Sequence, residues 1–317
     1  MLPLLRSLYD EGLIDSDFTQ SFLSGLTHYC RTGITPHYTY VQSRSLYCLS
    51  RGRYALHAKA AFSVLYPAAA SQEPPLDPSV NPPYSDLFAI LKNTGYLILP
   101  SYFCTSLVDE IAELLDRASH PDLLAPPPAT LARYFLDGRK CLKSKLFQQI
   151  IQDKLIFQLV SDYLACEPLI DLVTAWRLMP IDPNSVDLSA EALQYHIDLD
   201  RAHFLKVFVY ITDVCEDSGP HTFVPRTHLA NAPSHIQDRR YMDHEITSLS
   251  VDTPLSILGF RGTVIIADTH CLHKGTLPVR SHRDIFQVEF CSSLFGAPYG
   301  KDILGLNQDI FRDVASS

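Results

Sequence analysis

Residues 195–212 read Tyr-His-Ile-Asp-Leu-Asp-Arg-Ala-His-Phe-Leu-Lys-Val-Phe-Val-Tyr-Ile-Thr and join two potential metal ligands to a strand pattern. Successive side chains of a strand point to opposite faces, and one face of this strand is entirely apolar: Leu205, Val207, Val209 and Ile211. The pattern predicts that this face packs in a core. The other face carries Lys206, whose side chain either points into the interior of a barrel or lies on a solvated surface.

Short apolar runs separated by turns continue through the second half of the chain. From Leu172 onward, runs rich in Val, Ile, Phe and Tyr alternate with Gly, Pro and Asp, which is typical of a β-sandwich or barrel. The clearest strands are predicted at 204–212, 263–269 and 285–290. Residues 144–165 and the N-terminal 66 residues have helical patterns instead. The predicted fold class is therefore α+β, a β core with flanking helices.

A proline-rich stretch divides the chain. Prolines between positions 67 and 83 interrupt any regular element, and they are Pro67, Pro74, Pro75, Pro78, Pro82 and Pro83. We expect residues 1–86 to form a helical N-terminal extension with a linker, and residues 87–317 to form the main domain. At its start the pattern predicts a short helix, a turn at Gly95 and an apolar strand, followed by a helix capped by Thr105.

Composition excludes several classes of protein. A net charge of −9 argues against a dedicated nucleic-acid or anionic-membrane surface. The eight cysteines are widely spread without a Cys-x-x-Cys pair, which favours reduced thiols over a disulfide framework. No apolar run approaches the ~20 residues that cross a bilayer. We expect a cytoplasmic protein that binds neither nucleic acid nor membrane, and the sequence leaves its oligomeric state open.

Three residues form a candidate metal centre. His196 and Asp198 are two positions apart, so on a strand both side chains reach the same face. His273 follows the apolar strand that begins near Thr263, and His270 is a competing candidate three positions earlier. Two imidazoles and one carboxylate form the facial triad that suits iron(II) and leaves coordination sites open. Those sites would accept a chelating oxo-acid and dioxygen.

Two arginines are candidates for the anchor of such an oxo-acid. Arg283 begins the strand at 283–290, and its planar guanidinium matches a carboxylate bidentately. It could equally be a surface residue on an exposed strand. Arg177, beside the single tryptophan Trp176, is a second candidate for the same pocket. Lys206 would help to bind the same oxo-acid if its side chain points into the barrel.

Four blocks in order resemble the phytanoyl-CoA dioxygenase family of iron(II)- and 2-oxoglutarate-dependent oxygenases, over roughly residues 87–296. They are Leu91-Lys-Asn-Thr-Gly-Tyr-Leu-Ile-Leu-Pro, the stretch from Tyr195 to Val214, Ser218-Gly-Pro-His-Thr-Phe-Val-Pro-Arg-Thr-His, and Asp268-Thr-His-Cys-Leu-His-Lys-Gly with Arg283. The family often has Gly-Ser-His where this chain has Arg226-Thr-His.

The resemblance implies a double-stranded β-helix, a jelly-roll barrel whose mouth holds the iron. It also implies that His196, Asp198 and His273 bind Fe(II), and that Arg283 binds the far carboxylate of 2-oxoglutarate. Halogenating relatives have a small residue at the position of Asp198, so the resemblance favours hydroxylation or another oxidation. The expected substrate is a small organic molecule, or an acyl or natural-product compound. Two alternatives stay open: an iron oxygenase that does not use 2-oxoglutarate, and an inactive barrel used as a binding scaffold. The substrate cannot be read from the sequence.

Overall fold

The structure is a computed structural model that describes residues 1–65, 82–118, 133–136, 138–180, 182, 192–228, 236–249 and 252–297. Four of the six prolines that divide the chain lie outside these residues: Pro67, Pro74, Pro75 and Pro78. The first described segment is helical, as predicted, and its four helices are α1 (Leu2–Asp10), α2 (Ser16–Thr32), α3 (His37–Leu49) and α4 (Arg53–Leu65). The side chain of Asp15 caps α2 by accepting a hydrogen bond from the Phe18 amide, 2.7 Å away.

The next part alternates helices with two short strands. Helix α5 (Tyr84–Thr94) ends at Gly95, which has the left-handed conformation with φ 88°, and β1 (Tyr96–Leu99) follows. This confirms the predicted helix, turn and strand. The remaining elements are α6 (Thr105–Ala118), β2 (Arg133–Leu136), α7 (Gly138–Lys143), α8 (Lys145–Ile151) and α9 (Lys154–Leu164).

The helical pattern over 144–165 is confirmed as two helices, α8 and α9, and Asp153 caps α9 by accepting a hydrogen bond from the Ile156 amide at 3.0 Å. One detail of the helical prediction is wrong. Helix α6 includes Thr105 rather than beginning after it, and the Val108 amide bonds to the carbonyl of Cys104.

The second half of the chain forms two antiparallel sheets. Its elements are β3 (Leu169–Leu178), β4 (Phe204–Tyr210), β5 (His221–Phe223), α10 (Asp243–Leu249), β6 (Leu255–Ile257), β7 (Val264–Ala267), β8 (His273–Gly275) and β9 (Arg283–Cys291). The large sheet has the order β1-β7-β4-β9-β3-β2, and the small sheet has the order β6-β5-β8. The three strands predicted most clearly are confirmed as β4, β7 and β9. The fold is thus a mixture of helices and antiparallel sheet.

The large sheet lies between the small sheet on one side and helices α5, α6, α8 and α9 on the other. The apolar face predicted for β4 is confirmed, since Leu205, Val207 and Val209 share a core with side chains of α5, α6, α8 and α9. The opposite face of β4 contributes Phe208 and Tyr210 to a second core, which also contains residues of the small sheet. Period-two alternation therefore divides the interior into a helix side and a side between the sheets.

The N-terminal helices pack against the segment that carries His196 and Asp198. Phe22, Leu46 and Tyr54 share a third core with Tyr195, Ile197, Leu199 and Phe295. The rings of Phe22 and Phe295 meet edge to face, 6.1 Å apart. These helices therefore form one wall behind the site. None of the described helices is long and apolar enough to span a membrane.

Candidate metal centre

Backbone hydrogen bonds bring the distant ligand residues together. His196 and His273 form an isolated antiparallel bridge in which each amide donates to the other's carbonyl at 3.0 Å. The amide of Asp198 donates to the carbonyl of Thr269 at 2.9 Å. The segment at 195–198 is therefore paired with the chain that enters β8, and residues 75 positions apart in sequence become neighbours.

The three side chains face one another. Their ligand atoms all lie within 4.8 Å of one another. The Nε2 atom of His196 is 3.4 Å from Oδ1 of Asp198, and Nε2 of His273 is 3.4 Å from Oδ2 of the same carboxylate. Two nitrogens and a carboxylate around one point are the donor set that suits a divalent transition metal.

The other nitrogen of each imidazole is held by the backbone. Nδ1 of His196 is 2.9 Å from the carbonyl oxygen of Gln194, and Nδ1 of His273 is 2.9 Å from that of Cys271. A carbonyl oxygen only accepts, so each Nδ1 carries the proton and each Nε2 keeps its lone pair for the centre. Metal-binding histidines are oriented by hydrogen bonds of this kind, so the residues fit a metal ion.

Electrostatics favour the protonation states that a metal requires. Burial lowers the pKa of His196, and the neighbouring His273 lowers it further, so His196 stays neutral at pH 7. Burial opposes ionisation of Asp198, but the Lys206 ammonium outweighs it and holds the pKa of that carboxyl well below its usual range. Neutral imidazoles and an ionised carboxylate are the forms that bind metals.

Lys206 is buried against the centre rather than exposed on a solvated face. Its ammonium donates a hydrogen bond to Oδ2 of Asp198 at 2.7 Å, and it also lies 3.4 Å from Oε2 of Glu289 and 3.9 Å from Oδ2 of Asp200. Burial alone would lower the pKa of Lys206, but these carboxylates, Asp198 first, raise it. Lys206 therefore remains a cation that holds the Asp198 carboxylate in position.

Arg283 is buried on the same face of the large sheet as Lys206. Lys206 is paired in register with Glu289 of β9, and Arg283 is six positions from Glu289 on that strand, which puts both on one face. The guanidinium lies close to β8, because its Nη2 atom is 3.7 Å from the position that a Cβ atom on Gly275 would occupy. The structure therefore brings Arg283 into the interior between the sheets, the side on which His273 lies.

Arg177 is on the opposite side of the sheet. It is paired in register with Asp284 and binds that carboxylate through Nε at 2.8 Å and through the terminal nitrogen Nη2 at 2.6 Å. It also contacts Asp116 of α6 at 2.6 Å. Because Asp284 is next to Arg283 in sequence, its side chain points to the helix side. The structure thus groups Arg177 with α6 and not with the other predicted site residues.

His270 also lies apart from the three clustered ligands. Its Nδ1 contacts Oδ1 of Asp268 at 2.6 Å, and Tyr163 donates to the other carboxylate oxygen at 2.6 Å. Tyr47 of α3 stacks on the imidazole, with 4.6 Å between the rings and 11° between their planes. His270 and Tyr163 therefore both bond the buried Asp268, close to the N-terminal helix α3. The histidine that lies with His196 and Asp198 is His273.

A cavity of about 310 Å³ opens beside the clustered ligands and contains charged residues that the sequence analysis did not identify. It is lined by Arg44, His196, Ile197, Asp198, Leu199, Asp200, Asp238, Arg239 and Arg240. Arg44 comes from α3, in a region without any chemical motif. The pair at 239–240 has no motif either; its only signal in the sequence is two consecutive arginines after an aspartate.

No family model matches the chain, and neither does any curated protein sequence. Among solved structures, the non-heme α-ketoglutarate-dependent epimerase SnoN from nogalamycin biosynthesis is similar, with a TM-score of 0.50 and 16% identity over 66% of this chain and 82% of SnoN. SnoN in complex with Fe³⁺, α-ketoglutarate and nogalamycin RO has the same TM-score and identity, over 66% of this chain and 83% of that one.

A third solved structure is HygX from Streptomyces hygroscopicus with nickel, 2-oxoglutarate and hygromycin B bound. Its TM-score is 0.48 at 16% identity, over 65% of this chain and 86% of HygX. At such identities the likeness to SnoN concerns the fold. This chain therefore has the mixed helix and antiparallel-sheet fold found in a non-heme α-ketoglutarate-dependent enzyme.

Proposed function

We propose that this chain is an iron(II)- and 2-oxoglutarate-dependent oxygenase whose iron is held by His196, Asp198 and His273. The observation that carries the proposal is the orientation of the two imidazoles, whose Nδ1 atoms are held by backbone carbonyls and whose Nε2 atoms face one carboxylate. The fold supports the choice of cofactors, because the similar enzyme SnoN has been crystallised with Fe³⁺ and α-ketoglutarate.

The proposal extends to the finer classification. The architecture would be a double-stranded β-helix in residues 87–317, similar to the phytanoyl-CoA dioxygenase family, and the reaction would be hydroxylation of a small organic molecule. Two facing antiparallel sheets support the first point. The carboxylate of Asp198 supports hydroxylation, since halogenating relatives have a small side chain at the corresponding position.

The residues around the centre have separate tasks in this proposal. Iron(II) and 2-oxoglutarate, when bound, supply the chemistry that activates dioxygen and oxidises the substrate. Lys206 keeps Oδ2 of Asp198 in place through its hydrogen bond. Arg283 offers a buried, permanently charged fork for the far carboxylate of the co-substrate. The surrounding apolar side chains exclude water from the interior between the sheets.

Calorimetric titration under anaerobic conditions tests the assignment. We expect iron(II) to bind the protein and 2-oxoglutarate to bind only the iron-loaded form. Asp198→Asn should abolish iron binding, whereas Arg283→Gln should keep it and weaken 2-oxoglutarate binding roughly tenfold to a hundredfold, the effect of losing a charged hydrogen-bond pair. Arg261→Gln is the matched control, because Arg261 pairs with Asp109 of α6. Iron-loaded protein that does not bind 2-oxoglutarate would exclude this function.

The contact between Lys206 and Asp198 favours a second candidate, a binding scaffold in which the ammonium substitutes for a metal. Its 2.7 Å hydrogen bond already supplies the carboxylate with a cation. Lys206→Met separates the two functions. If Lys206 orients a metal ligand, the variant binds iron(II) more weakly than the parent protein; if it substitutes for the metal, the variant binds iron(II) and the parent does not.

A further inference from the structure

The rim of the cavity beside the metal centre indicates the chemical class of the substrate. Antiparallel backbone bonds join Tyr195 and Tyr241, with amide-to-carbonyl distances of 3.2 and 2.8 Å. The bridge brings Arg240, the residue before Tyr241, close to His196, the residue after Tyr195. Both residues line the cavity of about 310 Å³.

The other cations of this cavity are paired with carboxylates. Arg44 binds Asp238 through two hydrogen bonds of 2.6 Å. Arg239 binds Glu245 at 2.8 Å, and its guanidinium lies 3.9 Å from the centre of the Tyr241 ring. These interactions hold both side chains in place and balance their charges.

Arg240 differs from both of its neighbours. Within the described residues, no carboxylate lies at ion-pair distance from its guanidinium, while its charge is near enough to act on His196. Among the acidic residues of the cavity, Asp198 is bound to Lys206, and the carboxylate of Asp200 lies 3.9 Å from the same ammonium. A half-exposed arginine therefore brings a positive charge to a cavity that would also contain a metal cation.

We propose that Arg240 binds an anionic group of the substrate, a carboxylate or a phosphate, and so holds the substrate over the three clustered ligands. The guanidinium fork matches either group bidentately. A cavity of this volume is of the size that small-molecule sites have. The oxidation of that substrate rests on the proposed function, but the binding of the anion does not, because Arg240 needs neither iron nor 2-oxoglutarate to hold it.

The test uses inorganic phosphate and acetate as probes of the metal-free, full-length protein. We expect calorimetric titration to detect binding of at least one probe, and the tighter one identifies the anionic group. Arg240→Gln should weaken that binding roughly tenfold or more. Arg261→Gln removes the same charge from the helix side of the molecule and should leave the affinity unchanged. Absence of binding, or equal binding by the parent and the Arg240→Gln protein, overturns the proposal.

A second measurement locates the anion without a substitution. Phenylglyoxal modifies accessible arginines, and mass spectrometry then reports the extent of modification at each one. Saturating probe should protect Arg240 and not Arg261; equal modification of Arg240 with and without the probe contradicts the proposal.

The co-substrate provides the last control. 2-Oxoglutarate should bind iron-loaded Arg240→Gln as it binds the parent. Loss of that binding would assign Arg240 to the co-substrate and overturn the inference about substrate. Failure of iron or 2-oxoglutarate to bind the parent protein would instead remove the proposed function and leave the phosphate and acetate results standing.

Discussion

His203 is a buried imidazole whose protonation the fold opposes. Its ring stacks on Tyr163, with 5.7 Å between centroids, and its Nδ1 has no hydrogen-bond partner among the described residues. Burial lowers the pKa of His203 to about 3, and the nearby Lys59 acts in the same direction. In the unfolded chain the pKa would be about 6.5. Between these values the unfolded state binds a proton that the folded state does not.

Stability should therefore fall as the pH falls below 6.5. The contribution of His203 amounts to a loss of about 2 kcal/mol in the free energy of unfolding by pH 5. His203→Phe keeps a ring on Tyr163 and cannot titrate. Urea unfolding at pH 7.5 and pH 5.0 should show a smaller pH effect in this variant than in the parent, by about that amount. Equal losses in the two proteins would mean that His203 is already protonated in the fold.

The sequence could predict single residues only where a pattern defined them. His196 and Asp198 are two apart, and the structure brings them to His273 through one backbone bridge. Spacing alone left the choice between His270 and His273 open, and the family resemblance favoured His273. In the structure the turn after β7 directs His270 toward Asp268. Arg240 had no pattern at all, because its place beside His196 depends on the bridge between Tyr195 and Tyr241, which are 46 positions apart.

At the scale of elements, the contact between α2 and α3 depends on one glycine. Gly25 is buried in α2, and a Cβ atom added there would lie 2.7 Å from Cβ of Thr39 and closer still to its hydroxyl oxygen. An alanine would gain about 1 kcal/mol in helix propensity. Overpacking of a tight contact costs about 1–3 kcal/mol, and at such short distances the cost should prevail.

We therefore expect Gly25→Ala to lower the free energy of unfolding despite its better helix propensity. Chemical denaturation measures the change. Ser24→Ala on the exposed side of the same helix is the control and should be neutral or slightly stabilising. Adding Thr39→Ala to Gly25→Ala should recover part of the loss, because it removes the two side-chain atoms beyond Cβ. A Gly25→Ala protein as stable as the parent would show that the two helices separate at little cost.

Elements with a strong period were predictable, and their ends were not. Alternation over 204–212 predicted both β4 and the face that packs on the helices. The break between α8 and α9 depends on a local hydrogen bond of Asp153, which competes with a continuous apolar pattern. No pattern in the sequence indicated that α3 contributes Arg44 and Tyr47 to the surroundings of the candidate metal centre.

At the scale of the whole molecule, the N-terminal helices are bound to the β core by several kinds of contact. Tyr29 meets Phe295 with ring centroids 5.2 Å apart, and the Gly296 amide donates to the hydroxyl of Thr35 at 3.1 Å. Full burial of one large apolar side chain contributes about 1.5–3 kcal/mol. The N-terminal helices contribute Phe22, Leu46, Tyr47 and Tyr54 to the shared core, and these four side chains supply about 6–12 kcal/mol. This is comparable to the about 5–15 kcal/mol by which a whole domain is usually stable.

The N-terminal helices and the sheets should consequently unfold together, although the sequence suggested an N-terminal extension joined by a linker. The single tryptophan, Trp176, is in β3, so its fluorescence follows the large sheet, whereas far-ultraviolet circular dichroism follows mainly the helices. Phe22 is fully buried in α2, and Phe22→Ala should cost about 3–5 kcal/mol. If the molecule is one cooperative unit, this substitution shifts the urea midpoints of both signals equally. If the N-terminal helices fold independently, Phe22→Ala shifts the dichroism transition and leaves the urea midpoint of the Trp176 fluorescence unchanged.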